Sequence, residues 1–148
     1  MAVIVPVSPW MLDEITEIEA EAFSVPWSKA GFQAELENKD SVFYAALEGD
    51  RVVGFCVLRC LGEEGELFNI AVSPAFRGRG VGKVLLDRVL AQGSRRGVKA
   101  VFLEVRKSNF AAQRLYLSRG FQQMGTRKNY YDEPTEDAVL MQCRIETA

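Results

Sequence analysis

The sequence predicts an α/β fold of the α+β type, with a mixed central sheet of about seven strands and flanking helices. Three observations support this prediction. The hydrophobic patterns follow the order strand, two helices, three strands, helix, strand, helix and two strands. One helical pattern separates two buried strands, which indicates a parallel crossover. The length of 148 residues suits one domain, residues 1–148, with a single sizeable core.

The first predicted elements are an edge strand and a helix. Residues 2–7 (AVIVPV) are mostly apolar, and Pro6 cannot donate to a strand ladder, which favours an edge position. Ser8 followed by Pro9 is typical of a helix start. The helix has apolar residues at helical spacing, namely Leu12, Ile15, Ile18 and Ala22. The segment FSVPWS (23–28) then predicts a loop.

A second helix and a β-hairpin follow this loop. Ser28 is a suitable cap for the helix, whose apolar residues are Phe32 and Leu36. The segments VFYAALE (42–48) and RVVGFCVLRCL (51–61) predict two strands. Gly49-Asp50 lies between them and is a strong hairpin signal.

The parallel crossover is predicted in the middle of the chain. After a turn at 62–65, the segment ELFNIAV (66–72) is apolar on both faces, which indicates a central strand that ends at Ser73-Pro74. A helix with one apolar side follows, formed by Val81, Leu85, Leu86, Val89 and Leu90. The segment KAVFLEV (99–105) then predicts a second buried strand.

The remaining elements are a short helix and a final strand pair. The segment 108–120 predicts a helix capped by Ser108 or Asn109. The segments 121–131 and 137–145 predict two strands around a polar loop.

Composition narrows the classes of function. The net charge of −2 gives no basic field, so we expect no direct contact with nucleic acid. No apolar run approaches the ~18 residues of a membrane span, and the N-terminus has no basic region typical of a signal peptide. Three cysteines in apolar contexts, Cys56, Cys60 and Cys143, favour buried thiols and a cytoplasmic location over a disulfide framework.

The chain contains no histidine. This excludes Ser-His-Asp and Cys-His catalysis and most zinc chemistry, and we expect no metal cofactor. An enzyme built from this chain must take its proton-transfer groups from carboxylates, tyrosine, lysine or cysteine.

The segment RGRGVG (77–82) is the strongest candidate for a binding motif. It fails as a P-loop, because a P-loop ending at Gly82-Lys83 requires glycine at Arg77 and Ser or Thr at Val84. It also fails the G-x-G-x-x-G spacing of dinucleotide-binding folds. Consecutive backbone N–H groups at a helix start, with arginines and a lysine beside them, suit a pyrophosphate that is held and not cleaved. The alternative is a flexible turn with solvated charges.

With these residues in view, the chain resembles the GNAT acetyltransferase superfamily. The pattern Arg-x-x-Gly-x-Gly at Arg77, Gly80 and Gly82 is similar to its acetyl-CoA signature. Within the superfamily, four segments resemble the ribosomal-protein-alanine N-acetyltransferases (RimI-like enzymes): FSVPWS, FNIAVSPAFRGRGVGKVLL, FLEVRKSNFAAQRLYLSRGF and RKNYY…EDAVLM. The resemblance covers most of the chain and is weakest in residues 1–22 and 33–60.

The resemblance implies the GNAT fold, in which two adjacent strands splay apart to admit acetyl-CoA. It implies that the backbone of Ile70, Ala71 and Val72 pairs with the pantetheine arm. The pyrophosphate would be held by the glycine-rich segment: Arg77, Gly78, Arg79, Gly80, Val81, Gly82 and Lys83. Asn109 would bind near the reactive end of the cofactor. The implied acceptor is a protein N-terminus, the N-terminal alanine of a small-subunit ribosomal protein.

The same resemblance assigns the chemistry to Glu104 as general base and Tyr116 as general acid. From the residues alone, Glu104 could instead be a strand-end carboxylate paired with Arg106 or Lys107. Tyr116 could be an amphipathic core residue.

Aromatic residues are the candidates for binding the acceptor peptide. Trp27, Tyr130 and Tyr131 combine a large contact area with a polar group. Trp27 could alternatively fill the core. Two other functions stay open: acetyl transfer to lysine or a small amine, and a non-catalytic acyl-CoA sensor.

Overall fold

A computed structural model describes residues 2–145 of the chain. These residues form a seven-stranded mixed sheet, and the predicted fold class is confirmed. The strands are β1 (Val3–Pro6), β2 (Ser41–Glu48), β3 (Arg51–Leu61), β4 (Glu64–Val72), β5 (Ala100–Arg106), β6 (Gln122–Tyr131) and β7 (Glu136–Arg144). The helices are α1 (Leu12–Ala22), α2 (Lys29–Glu37), α3 (Val81–Arg95) and α4 (Phe110–Ser118), with short 3₁₀ turns at Pro9–Met11 and Pro74–Phe76.

The strand order is β1-β2-β3-β4-β5-β7-β6, which places β4 in the centre as predicted. β4 and β5 are parallel and are joined through α3, so the predicted crossover is confirmed. The predicted turn at 62–65 is too long, because β3 extends to Leu61 and β4 already begins at Glu64.

The predicted helix starts agree with the structure, and two of the three have a side-chain cap. Ser28 accepts a hydrogen bond from the N–H of Gly31, as predicted. Of the two candidates for α4, Asn109 is the cap, because its side chain accepts from the N–H of Ala112. Ser8 precedes a 3₁₀ turn and makes no side-chain capping bond.

Helices cover both faces of the sheet. The sequence of β3 is continuously apolar because both faces of this strand are buried, each in a different hydrophobic cluster. Phe55 and Val57 pack in the cluster with α1 and α2, whereas Cys56 and Leu58 pack in the cluster with α3. The three cysteines are buried free thiols, as predicted.

The sheet opens between β4 and β5. The two strands pair only from Glu64 to Glu66, opposite Ala100 to Phe102, and then diverge. On its other edge, β4 bulges at Phe68, since Val57 pairs with Asn69 and Leu58 with Leu67. A bulge bends a strand and increases its local twist, which accounts for the divergence. The resulting gap positions the candidate site.

Candidate active site

The gap between β4 and β5 leads into a cavity of about 480 Å³, here called the gap cavity. One wall is the end of β4 and the other is α4, where Ala111 and Ala112 leave room beside Asn109. The glycine-rich segment lines one end through Arg77, Gly78, Gly80, Val81, Gly82 and Lys83. Most of the residues predicted to bind the cofactor therefore lie around one cavity.

Backbone groups of β4 face this gap. Ser73 donates to the carbonyl of Val53, which marks a hydrogen-bonded pair in the antiparallel ladder with β3. Because such pairs alternate, the backbone of Ala71 pairs with Phe55, whereas the backbones of Ile70 and Val72 point towards β5. An elongated ligand in the gap can bond to these backbone groups as a strand would, and the carbonyl of Val72 already accepts from Arg77.

The glycine-rich segment places backbone N–H groups at the start of α3. Gly80 caps the helix in the left-handed region, at φ +81°, and its carbonyl accepts the first helical hydrogen bond from Val84. The N–H groups of the first turn have no helical acceptor, so they attract an anion together with the helix dipole. Arg77 is oriented by a bond from Nε to the carbonyl of Val72, at 3.0 Å. Arg79 lies over the ring of Phe76, 5.1 Å from its centroid.

A second cavity of about 260 Å³ adjoins the first, and we call it the tyrosine cavity. Ile70, Asn109 and Ala112 line both cavities, so the two meet at the gap. The other lining residues include the predicted Glu104, Tyr116, Trp27 and Tyr131.

Glu104 lies on β5 and accepts a hydrogen bond from the hydroxyl of Tyr130, with 2.9 Å between the oxygens. This bond raises the pKa of Tyr130. Of the two cations considered as partners of Glu104, Arg106 pairs with Glu136 instead. Tyr130 reaches Glu104 because β6 leaves the ladder with β7 between Arg127 and Tyr131.

Tyr116 projects from α4 and is buried, with 7% of its surface exposed. Its ring packs against Phe121 at 5.6 Å between centroids. Burial raises the pKa of Tyr116, so the phenol stays protonated at neutral pH. The residue is therefore part of the core and also part of the cavity wall.

Of the aromatic residues predicted to bind a peptide, Trp27 and Tyr131 line the tyrosine cavity, whereas Tyr130 does not. Trp27 packs against Phe32 and Phe68, with centroids 5.3 Å and 6.1 Å away. Tyr131 meets Tyr130 edge to face at 5.0 Å, and burial raises the pKa of Tyr131 to about 12.

Sequence reasoning missed several residues of this site. Phe68 and Asn69 line the tyrosine cavity at the bulge, which no sequence pattern marks. Arg106 stacks on Tyr131 at 4.6 Å and donates to the carbonyl of Asp132. Glu19 could have been identified from the sequence, because this carboxylate falls on the apolar stripe of α1. In the structure only 1% of its surface is exposed.

Neither a metal site nor a membrane-spanning helix occurs within residues 2–145. This part of the chain has no group of three or more His, Cys, Asp or Glu side chains that could hold a metal ion. It also has no helix long and apolar enough to cross a membrane.

Comparison with known proteins gives a consistent result. A model of the acetyltransferase (GNAT) family matches residues 12–121. The [ribosomal protein bS18]-alanine N-acetyltransferase of Haemophilus ducreyi is 42% identical over 135 residues, covering 87% of this chain and 90% of that protein. The crystal structure of the ribosomal-protein-S18-alanine N-acetyltransferase from Escherichia coli is similar with a TM-score of 0.90 and 33% identity, covering 100% of this chain and 96% of that one. The Ard1 structure from Thermoplasma volcanium has a TM-score of 0.91 at 26% identity, covering 98% of both chains.

Proposed function

The chain belongs to the GNAT acetyltransferase family and is an acyltransferase, and from this premise we propose that it acetylates a protein N-terminus with acetyl-CoA. The proposed acceptor is the N-terminal alanine of ribosomal protein bS18, the substrate in the names of its relatives. The observation that carries the proposal is the meeting of two cavities at the β4–β5 gap. One is suited to an elongated anionic cofactor and the other contains a carboxylate and a phenol.

The gap cavity would receive acetyl-CoA along its length. The first-turn N–H groups of α3, with Arg77, Arg79 and Lys83, would hold the pyrophosphate. The backbones of Ile70 and Val72 would pair with the pantetheine arm, with Ala71 between them.

Asn109 would contact the cofactor near its reactive end. Its Oδ1 atom is used as the α4 cap, while its NH₂ group makes no hydrogen bond within residues 2–145. That group is available to a ligand in the cavity.

The tyrosine cavity would receive the acceptor amine. Acetyl-CoA supplies an acetyl group activated as a thioester. Glu104, as general base, would take the proton that the attacking amine must lose, directly or through one water molecule. Tyr116, as general acid, would give its proton to the sulfur as the C–S bond breaks, so that CoA leaves as a thiol, and its raised pKa keeps the hydroxyl protonated before that step. This set of groups requires no metal ion.

An α-amine suits this chemistry better than a lysine side chain. The pKa of an α-amine is about 8 and that of lysine about 10.4, so deprotonating lysine at neutral pH costs about 3 kcal/mol more. The proposed peptide-binding residues are Trp27 and Tyr131, which line the tyrosine cavity together with Glu104, and Tyr130, which donates to Glu104. We assign the reaction to the cytoplasm, in agreement with three free thiols in the described core.

A panel of synthetic peptides tests the proposal. Peptides that begin with alanine and contain one internal lysine are supplied with a free or a formylated N-terminus, and the acetylated position is located by mass spectrometry. We expect acetylation of the free α-amine and a loss of turnover when it is blocked. Higher turnover of the blocked peptide at its lysine would replace the proposed acceptor. Tight acetyl-CoA binding without turnover of any amine would favour a sensor.

A further inference from the structure

Glu19 is a buried carboxylate with no cation beside it. It lies on α1 with 1% of its surface exposed, and no Lys or Arg within residues 2–145 forms a salt bridge with it. Burying a charge is costly, and here burial raises the pKa of Glu19. A charged side chain buried at this cost in free energy indicates a role other than packing.

Three hydrogen bonds hold this carboxylate. Asn69 donates from Nδ2 to both oxygens of Glu19, each at 2.8 Å. The backbone N–H of Trp27 donates to Oε2 at 2.9 Å. Glu19 therefore connects the loop before α2 to the bulged part of β4, which are 42 residues apart in the chain (69 − 27).

Glu19 and both of its partners line the tyrosine cavity. Trp27 also packs on Phe68, the bulge residue next to Asn69. The guanidinium of Arg59 also contacts both rings, at 4.2 Å from the Phe68 centroid and 5.9 Å from the Trp27 centroid. The relative position of Trp27 and Phe68, one wall of the cavity, thus depends on the Glu19 hydrogen bonds.

We propose that Glu19 is a positioning residue for the acceptor peptide, because it fixes Trp27 and Asn69 against each other at the wall of the tyrosine cavity. This inference rests on the proposed function, since it requires that the peptide binds in that cavity. Glu19 acts through its hydrogen bonds and not through its charge. Neither Trp27 nor Asn69 lines the gap cavity, so we expect Glu19 to affect acetyl-CoA binding much less than peptide binding.

The test compares two substitutions of the same residue. Glu19→Met keeps the length and removes every acceptor. Glu19→Gln keeps an oxygen for the N–H of Trp27, and its NH₂ group can bond to Asn69 once the Asn69 amide turns over. We expect Glu19→Met to raise the KM for the peptide about tenfold, with kcat and the Kd of acetyl-CoA little changed. Glu19→Gln should restore most of the wild-type KM.

Glu14→Met is the matched control. Glu14 is on the same helix and its carboxylate also accepts a backbone N–H, that of Val52 at 2.8 Å, but Val52 lines neither cavity. This variant should leave the KM for the peptide unchanged. An equal rise in KM for Glu14→Met and Glu19→Met would overturn the positioning role, since both would then act through α1.

Two further results would contradict the inference. If Glu19→Gln raises the KM for the peptide as much as Glu19→Met does, Glu19 acts through its negative charge and not through its hydrogen bonds. If Glu19→Met folds and keeps the wild-type KM, Glu19 has no role in acceptor binding.

A second variant covers the case in which Glu19→Met does not fold. Asn69→Ala removes the side-chain amide that donates to Glu19. This variant should raise the KM for the peptide while acetyl-CoA binds normally. A wild-type KM in that variant would also overturn the inference. A wild-type enzyme that binds acetyl-CoA but acetylates no peptide would refute the proposed function first, independently of any variant.

Discussion

Valine at Gly80 should weaken acetyl-CoA binding before it unfolds the protein. Gly80 has φ +81°, and a Cβ atom there would meet nothing within 4 Å, so the cost is backbone strain and not a clash. Holding an L-residue in the left-handed region costs about 1–2 kcal/mol. If that strain is relieved by moving the start of α3, the N–H groups lose their arrangement. At about 1.4 kcal/mol per tenfold in affinity, the loss is about 5- to 30-fold.

Gly49→Val provides the control for this experiment. Gly49 lies in the β2–β3 hairpin at φ +62°, also with nothing within 4 Å, and it lines neither cavity. Both variants should lower the midpoint temperature of unfolding by about 2–8 °C. Isothermal titration calorimetry should show weaker acetyl-CoA binding for Gly80→Val alone. Wild-type affinity in Gly80→Val, or an equal loss in Gly49→Val, would refute the reasoning.

Three further predictions concern the chemistry and its pH dependence. Glu104→Gln should lower kcat by about 10²- to 10⁴-fold if the carboxylate is the general base, and a pre-steady-state acetylation assay with unchanged turnover would exclude that role. Tyr116→Phe should lower kcat by about 10²-fold without lowering thermal stability, because the hydroxyl makes no hydrogen bond within residues 2–145; a normal kcat would remove Tyr116 from the mechanism. The pKa of Glu19 is raised, so the folded state binds the proton of this carboxyl more tightly than the unfolded state does. Protonated Glu19 therefore contributes fully to the free energy of unfolding below its usual pKa of 4.5. That contribution is lost as the pH rises through the pKa of the folded state. Relative to Glu19→Gln, the wild type should therefore gain thermal stability as pH falls from neutral towards 4.5, and a scan with no such gain would contradict the assignment.

The elements could be predicted because their patterns are local. The alternation around Gly49-Asp50 specifies a hairpin, and the apolar side of α3 specifies the crossover. The glycine-rich segment could be linked to an anion because a helix start follows it directly. Such features depend on residues that are close together in the chain, so they can be predicted from one sequence.

The wall of the tyrosine cavity depends on distant contacts, and the sequence does not display these. Whether Glu104 meets Arg106 or Tyr130 depends on where β6 leaves its ladder, near Asn129 at φ +53°. The bulge at Phe68 likewise arises from the pairing of two strands and not from either sequence alone. Glu19 shows what more could be extracted, because a carboxylate on an apolar helix stripe signals a buried polar contact even when its partner is unknown.

The most direct test of the proposed activity is mass spectrometry of ribosomal protein bS18 from cells with and without this gene. We expect its N-terminal alanine to carry an acetyl group only when the gene is present, and a gene encoding Glu104→Gln to fail to restore it. Full N-terminal acetylation in cells without the gene, or acetyl groups that change only at lysine side chains, would contradict it.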